Sequence, residues 1–450
     1  MHIFLHQDDL RRHDNKGLAG ATSDGDTIPI YIDDPTIIDQ TGRNKRAFRL
    51  NALHSLNDTY NEHNAQLHYY HGRTETILAD LINDHDITAI HYNKGYRPTR
   101  RRIQQRIDEL PVQTTPYKDR VSVEPDEPPA EYDTFSPFYQ AWKQRHNPRP
   151  VTPALTELEE LPSQPLPSPE DVQADLPSAD ETTALQRWAD FRDNRMSTYK
   201  DKRDNVANPD AVSRLSPYYA SGILSVRTVL HDVEQRIEQA DDSSTITNYA
   251  KYRSELAWRE FFIHVLYHNP SAVNDAYKDI GEIDWANNDD EITAWKHGKT
   301  GVPFVDAGIR ELRQTGYMHN RLRQNVASFL TKHLMTDWRI GADFFAEHLI
   351  DHDVANNNGG WQWAASTGTD SVPIRIFNPV KQGKQYDENA TYIKRWIPEL
   401  RGLDPATIHD WVRMTPDERQ THDTAYPSPI INFDERYHQG KAMFQDALNN

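Results

Sequence analysis

The stretch YAKYRSELAWREFFIHVLYH, residues 249–268, carries the clearest secondary-structure signal in the sequence. Apolar or aromatic residues recur at positions 249, 252, 256, 262 and 266, which is the spacing of one helical face. The chain on both sides of it, from residue 181 to residue 450, follows an almost wholly helical pattern. The sequence therefore predicts a large all-helical domain over residues 181–450.

The first 120 residues have a different pattern, in which short apolar runs alternate with helical stretches. Strands are predicted at residues 2–5, 27–32, 66–70 and 88–92, and helices at residues 44–63, 74–85 and 99–110. This alternation is typical of a parallel, Rossmann-like α/β sheet, whose ligands bind at the carboxyl ends of the strands. Residues 121–180 are rich in proline and acidic residues, which indicates a long linker between the two domains.

Composition limits the classes of protein to which the chain can belong. It has 450 residues and no cysteine, so disulfides, a thiol nucleophile and a thiolate metal site are excluded. The histidines are scattered without an HExxH motif, and we expect no metal site. Because the chain lacks an apolar run of roughly 18 residues and an apolar signal peptide, we expect a cytoplasmic protein without a membrane partner.

The net charge of −18 bears on two questions, the salt concentration in which the protein works and the partners that it can bind. An acidic surface with few lysines is what adaptation to high salt produces, so a halophilic protein is expected. Nucleic-acid binding requires only a local basic face and is not excluded by the total charge. Arginines concentrate at positions 310, 313, 321 and 323.

SRLSPYYASG, residues 213–222, predicts the start of a helix. Ser216 suits the N-cap, and Pro217 suits the first helical position. Free backbone amides there, together with the hydroxyls of Ser213 and Ser216, could hold a phosphate. An ordinary capped helix without a ligand is the alternative, and it is the more frequent use of such a sequence.

Two further segments place polar side chains on one helical face. In YRSELAWREFF, Glu255, Trp258 and Arg259 are spaced to share a face, so the carboxylate and the indole could bond a base edge and stack on its ring. The alternative is a surface pair of Glu255 and Arg259 beside a core tryptophan. GYMHNRLRQ repeats the arrangement with Asn320, Arg323 and Gln324.

The segment IDHDVANNNGGWQWAASTGTD, residues 350–370, combines acceptors, glycines and aromatic rings. Asp351 and Asp353 can accept hydrogen bonds from a ribose or an amino group, and the glycines at 359–360 permit close backbone approach. Trp361 and Trp363 point to nearly opposite sides in either a helix or a strand. A structural turn with two core tryptophans is the alternative.

Taken in this order, the segments resemble the photolyase/cryptochrome family, and within it the class I cyclobutane pyrimidine dimer photolyases. The resemblance extends from DLRRHDN at residues 9–15 to KQGKQYDENATYIKRWIPEL at residues 381–400. It implies an α/β antenna domain over 1–120, a linker over 121–180 and a helical FAD-binding domain over 181–450. It also implies light-dependent repair of pyrimidine dimers in damaged DNA by electron transfer from excited reduced FAD, carried out by a monomer.

The resemblance assigns roles to individual residues. Those at FAD-binding positions are Tyr199, Val212, Ser213, Arg214, Leu215, Ser216, Arg259, Arg323, Asp351, His352, Asp353 and Asn357. Those at positions that hold the flipped-out dimer or the DNA are Arg203, Glu255, Trp258, Asn320, Arg321, Gln324, Trp363 and Gln382. Those in the chain that carries electrons inward are Trp361, Trp338 and Trp285. Among them, Asn357 would lie beside flavin N5, and Glu255 would stabilise the electron-bearing thymine carbonyl.

Some positions depart from the family pattern. Gln324 stands where class I photolyases usually carry methionine and resembles the DASH-type cryptochromes, although that group usually lacks a residue like Trp363. A second, antenna chromophore, a folate or a deazaflavin, is common in the family. Residues 5–7 replace its usual Trp-Phe-Arg, and Gly95 and Arg97 stand where acidic residues are common, so the antenna is the least supported part of the resemblance.

Two other functions stay open. A cryptochrome-type blue-light photoreceptor without repair activity would share the fold, the FAD and the tryptophan chain. The presence of Glu255, Trp258, Asn320 and Trp363 favours repair over this alternative. A flavoprotein that transfers electrons without light is the third interpretation.

Overall fold

The computed structural model describes residues 1–127, 131–146, 148–154 and 161–449. Five strands, β1 to β5, form one parallel sheet in the order β3-β2-β1-β4-β5. Their bounds are His2–His6, Thr27–Asp33, His68–His71, Ala89–Asn93 and Gln113–Tyr117. The chain leaves β1 toward one edge of the sheet, through β2 and β3, and then returns to the other side of β1 to form β4 and β5. In doubly wound sheets, ligands bind in the crevice at the carboxyl ends of the two strands where the order reverses, here β1 and β4.

Both faces of this sheet are covered by helices, as the continuous apolar runs require. All seven residues of β2 are buried. The helices α1 to α5 span Lys16–Asp24, Pro35–Ile38, Arg43–Asn61, Thr74–Asp84 and Pro98–Asp108. The four predicted strands and three predicted helices are therefore present within a few residues of their expected bounds, whereas α1, α2 and β5 were not predicted.

Within its described residues, the connecting segment contains one helix, α6 at Phe135–Arg145, which was not predicted from the sequence. Its Phe138 and Trp142 are buried. Trp142 Nε1 donates a hydrogen bond of 2.7 Å to Glu260, which lies on the long helix of the next domain. The connection is thus attached to the helical region at this point.

From Glu181 onward the described chain is helical. The helices α7 to α14 span Glu181–Asn194, Tyr199–Lys202, Ser216–Ser221, Val226–Gln239, Ser243–His268, Asp289–Lys296, Pro303–Thr315 and Asn320–Ser328. The helices α15 to α21 span Trp338–His348, Val354–Ala365, Pro379–Tyr386, Thr391–Trp396, Pro405–Asp410, Pro416–Gln420 and Phe433–Asn449. Both parts of the predicted fold class, a parallel α/β sheet and a larger helical region, are confirmed.

The long helix α11 organises the helical region. Asp242 caps its first turn by accepting a hydrogen bond from the Thr245 amide, and α6, α8, α10 and α16 pack against it. Its central residues consequently face several other elements at once. Among the described residues, no helix is long and apolar enough to cross a membrane.

Candidate functional site

A cavity of about 530 Å³ opens in the helical region. The predicted site residues that line it are Tyr199, Arg203, Val212, Ser213, Arg214, Leu215, Ser216, Glu255, Trp258, Arg259, Asn320, Arg321, Arg323, Gln324, Asp351, His352, Asp353, Asn357, Trp361 and Trp363. The structure thus brings together residues from four of the quoted segments. Trp285, Trp338 and Gln382 do not line the cavity; Gln382 accepts a hydrogen bond from Asn325 instead.

One end of the cavity is built around Asp351. Its Oδ2 accepts hydrogen bonds from Ser216 Oγ at 2.6 Å and from Arg323 Nη2 at 2.7 Å. Its Oδ1 is buried and has no hydrogen-bond partner among the described residues. Because an unpaired buried acceptor costs free energy, this oxygen fits a ligand that donates from a hydroxyl or an amine.

Helix α9 differs from its predicted start by one residue. Ser216 is its first residue and Leu215 occupies the N-cap, where no side chain caps the helix. Arg214, just before it, has a φ of 52°, which is uncommon for a residue other than glycine. The Ser216 hydroxyl therefore holds Asp351 and does not close its own helix.

Asp353 anchors the next part of the wall. It caps α16 by accepting from the Asn356 amide at 3.1 Å and pairs with Arg120 at 2.7 Å. Burial acts to raise the pKa of Asp353, but Arg120 and Arg259 lower it well below its usual value. Burial, with Arg120 nearby, lowers the pKa of Arg259 to about 10. These buried charges give the cavity a fixed polar wall.

Asn357 lies on the same helix, four residues after Asp353. Its Nδ2 donates to the Ala342 carbonyl at 3.0 Å. That bond fixes the amide plane and leaves the side-chain oxygen as the part of the group that can face a ligand.

Glu255 also lines the cavity, and its partners differ from the alternative that the sequence left open. The carboxylate pairs with Arg203 and with Lys251, the latter at 2.6 Å. Arg259 instead donates to the Arg120 carbonyl at 3.0 Å. A surface pair of Glu255 and Arg259 is therefore not formed.

Two tryptophans, Trp258 and Trp363, line the cavity, and each has neighbours that position its ring. Trp258 stacks on Phe135 of α6, with ring centres 3.8 Å apart and planes inclined by 7°. Trp363 packs against Phe377, with ring centres 5.7 Å apart, and the Arg375 guanidinium lies 4.8 Å from its centre. Both rings are only partly buried and line the cavity, so they are available to stack on a planar ligand.

The first turn of α14 contributes polar groups between these tryptophans and the outer surface. Asn320 is exposed. Arg321 pairs with Asp204 at 2.9 Å and donates to Gln324 Oε1 at 3.0 Å. Its guanidinium also lies 4.5 Å from the centre of the Tyr386 ring. Gln324 is thus held by a neighbour and does not point freely into the cavity.

The three tryptophans expected to carry electrons belong to one hydrophobic cluster. Trp361 is 2% exposed and Trp338 is 1% exposed, whereas Trp285 is only partly buried. Gly341 makes room for Trp361, since a Cβ there would lie 2.1 Å from the indole ring. Trp361 lines the cavity, Trp338 is buried in the core and Trp285 is partly exposed, so electron transfer along the three in this order stays a prediction.

Some cavity residues escaped the sequence analysis. Arg120 and Lys251 pair with Asp353 and Glu255, and Tyr317 lies beside Arg323. Lys251 lies in the stretch 249–268 and Tyr317 lies in GYMHNRLRQ, but neither was assigned a role there, and Arg120 belongs to no distinctive local pattern. The spacing of Lys251 and Glu255, four residues apart, was the one signal that could have paired them.

Comparison with known proteins places this geometry in a family. The family model described as the FAD binding domain of DNA photolyase matches residues 252–446, and the DNA photolyase model matches residues 2–163. A deoxyribodipyrimidine photo-lyase from Halobacterium salinarum is 36% identical over 478 aligned residues, covering 99% of both chains. The chain belongs to the photolyase/cryptochrome family.

Solved structures of photolyases agree with this assignment over the full length. A bacterial class III photolyase from Agrobacterium tumefaciens has a TM-score of 0.88 and 30% identity, covering 100% of this chain and 98% of its own. An archaeal photolyase from Sulfolobus tokodaii, solved with two FAD molecules, has a TM-score of 0.84 and 30% identity, covering 99% of each. The family supplies FAD as the cofactor that the polar end at Asp351 and the wall at Asp353 are suited to hold.

Proposed function

We propose that the protein repairs cyclobutane pyrimidine dimers in DNA, using light and reduced FAD. The observation that carries this proposal is one cavity whose wall contains both the polar group around Asp351 and the group of Glu255, Trp258 and Trp363. The first group suits a dinucleotide cofactor, and the second suits two adjacent bases. A shared chamber would hold electron donor and lesion side by side.

FAD, when bound, supplies the light-driven electron that this chemistry requires. Asp351 and Arg323 would orient the cofactor through hydrogen bonds and charge, and Asn357 would offer its amide to the ring system. The returned electron would leave no net oxidation or reduction once the two cyclobutane bonds had opened, so the chain itself need only hold the cofactor and the dimer in place.

The chain's task toward the DNA is to hold a nucleotide pair outside the helix. Extruding a damaged pair costs less than extruding a normal one, because the lesion already disturbs stacking. Trp258 and Trp363 would stack on the extruded bases and replace the lost base stacking. Glu255 would act on the thymine carbonyl that becomes negative.

The decisive test is repair of DNA that carries one defined pyrimidine dimer, under blue light, with the same mixture in the dark as control. We expect loss of the lesion only in the light, from a yellow protein that retains FAD through purification. If blue light reduces the flavin but the dimers persist, the protein is a photoreceptor without repair activity.

We propose further that it acts as a monomer in the cytoplasm.

A second, antenna chromophore stays a prediction. At the crevice of the sheet, the space between Asp8, Arg97 and Arg100 is about 20 Å³, which is too small for a folate or a deazaflavin. An antenna would have to displace these side chains or bind to another part of the surface. Titration of the purified protein with each chromophore, followed by absorbance, tests this directly.

A further inference from the structure

A small cavity of about 20 Å³ lies at the carboxyl edge of the sheet, where the chain order reverses. Asp8 reaches it from the loop after β1, and Gly95 and Arg97 reach it from the loop after β4. Arg100 follows on α5. Doubly wound sheets bind ligands at this position, and the volume suits a single particle of about the size of a water molecule.

The side chains around this cavity do not balance in charge. Four cations and two carboxylates line it, an excess of two positive charges: Lys45, Arg97, Arg100, Arg120, Asp8 and Asp353. All four cations belong to the first 120 residues of the chain, and Arg120 is the last of them. Burying charge without a partner is expensive, so an excess of this kind calls for a compensating anion.

Several N–H groups of these cations also lack a hydrogen-bond acceptor among the described residues. Arg97 Nε and Nη2 and Arg100 Nε are buried, and they have no hydrogen-bond partner among the residues that the structure describes. Asp8 Oδ2 is near but too far for a hydrogen bond, 3.7 Å from Arg97 Nη2 and 3.6 Å from Arg100 Nε. The side chain of Arg100 is only 4% exposed. An acceptor between the two guanidinium groups would satisfy these donors.

The ionisation of the cluster is consistent with missing negative charge. Burial lowers the pKa of Lys45 to about 8, with Asp8 acting against it and Arg97 adding to it. Burial likewise lowers the pKa of Arg97 to about 10, opposed by Asp8 and reinforced by Arg100 and Arg120. The two carboxylates thus do not offset the cost of burying Lys45 and Arg97, although for Arg120 they outweigh burial and raise its pKa.

We infer that this cavity binds one small monatomic anion, chloride, between Arg97 and Arg100. Its charge would offset the excess of the cluster, and it would accept the unused N–H groups. A water molecule would fill the same volume and accept hydrogen bonds, but it would leave the charge excess unchanged. Since Asp353 of the helical domain also lines the cavity, the ion would stabilise the contact between the two domains.

Anomalous scattering from crystals grown in sodium bromide tests the inference on the unmodified protein. Bromide replaces chloride in such sites and is identified by its anomalous signal. We expect a peak between the guanidinium groups of Arg97 and Arg100. Ordinary water density there, with no anomalous signal, would overturn the inference.

Stability measurements give a second test in solution. At fixed ionic strength, replacing sodium gluconate with sodium chloride should raise the unfolding temperature of the protein. The increase should level off as the chloride site fills. Anions also act on protein stability without a specific site, so the comparison needs variants. Arg100→Gln should lose the saturable part of the increase, while Arg102→Gln, an exposed arginine on the same helix, should keep it.

Equal chloride responses in Arg100→Gln and Arg102→Gln would contradict the proposed site, whatever their absolute stability. If Arg100→Gln does not fold, the crystallographic test still decides the matter. The outcome of either experiment is independent of whether the protein repairs DNA.

Discussion

At the scale of single residues, the contacts of Glu255 constrain what it can do. Arg203 and Lys251 both approach its carboxylate. A charged carboxylate only accepts hydrogen bonds, so it could not donate to a thymine carbonyl. Glu255 must therefore take up a proton when the lesion binds, or act on the thymine through these two cations.

We expect Glu255→Ala to lower the quantum yield of repair more than it lowers lesion affinity. An interaction with charge that develops after electron transfer acts on the reaction and not on binding. Glu255→Gln, which places an N–H donor where the carboxyl group stands, should retain more yield than Glu255→Ala if donation to the thymine carbonyl is what matters. Quantum yield and lesion affinity are to be measured separately for both variants.

Trp363→Ala is the matched comparison for Glu255→Ala. It should lower the affinity for the lesion more than it lowers the quantum yield of repair. Loss of one stacked base corresponds to about 1–3 kcal/mol, which is roughly a 5- to 150-fold weaker complex. Equal losses of affinity in the Trp363 and Glu255 variants, with unchanged yield in Glu255→Ala, would disprove the division of roles.

Trp361→Phe should stop the photoreduction of oxidised FAD but spare repair by enzyme that was reduced beforehand, because electron entry and donation to the dimer are separate steps. Trp295 provides the control. It packs against Trp361 with ring centres 6.1 Å apart but is fully buried, so it offers no exit to the surface. Trp295→Phe should keep photoreduction, as followed by the loss of oxidised-flavin absorbance. Failure of pre-reduced Trp361→Phe to repair would refute this separation.

At the scale of elements, α6 links the connecting segment to Trp258, which is proposed to stack on the lesion. Its Phe135 lies flat against Trp258 and would hold that indole at a fixed angle. We expect Phe135→Leu to weaken lesion binding by about 0.5–1.5 kcal/mol, roughly 2- to 12-fold, without loss of FAD. Lesion affinity and flavin content, measured on the same preparation, check this. Loss of flavin together with affinity would instead show a general defect in folding.

The elements that sequence patterns predicted are those with strong periodicity. β2 is apolar and fully buried, and α11 has a long helical face, so both follow from spacing. β5, whose sequence is QTTPY, is a partly exposed edge strand without an apolar run to reveal it. α1 begins where Asn15 accepts a hydrogen bond from the Leu18 amide, and its small residues give a weak helical pattern. α6 was hidden because proline-rich surroundings dominate the composition of its segment.

At the scale of the whole molecule, the local motifs of the candidate site could be found in the sequence, but the contacts between them could not. The sequence did not show, for example, that Ser216 and Asp351 share a hydrogen bond. Nor could it reveal Arg120 as the partner of Asp353, because contacts between residues far apart in the chain depend on how domains pack. The resemblance to a family provided these groupings, and the structure supplied the partners.

The total charge of −18 must be reconciled with a DNA partner on the same scale. Near the cavity, Arg203 is paired with Glu255 and Arg321 with Asp204, so neither is a free cation. DNA phosphates would have to compete with those carboxylates, and affinity should therefore be modest and strongly dependent on salt. An acidic surface elsewhere would oppose binding at any other face.

We accordingly expect Arg321→Ala to weaken binding of lesion-containing and undamaged DNA by the same factor. A phosphate contact carries no information about the base, and loss of one contact should reduce the slope of log affinity against log salt by about 0.9. Arg102→Ala, which removes an exposed arginine of the α/β domain that does not line the cavity, should leave the slope unchanged. Affinities for both DNAs across a salt series measure this. A slope that is unaltered in Arg321→Ala, or altered equally in Arg102→Ala, would mean that the DNA does not approach the cavity over α14 and that its basic contacts lie on another face.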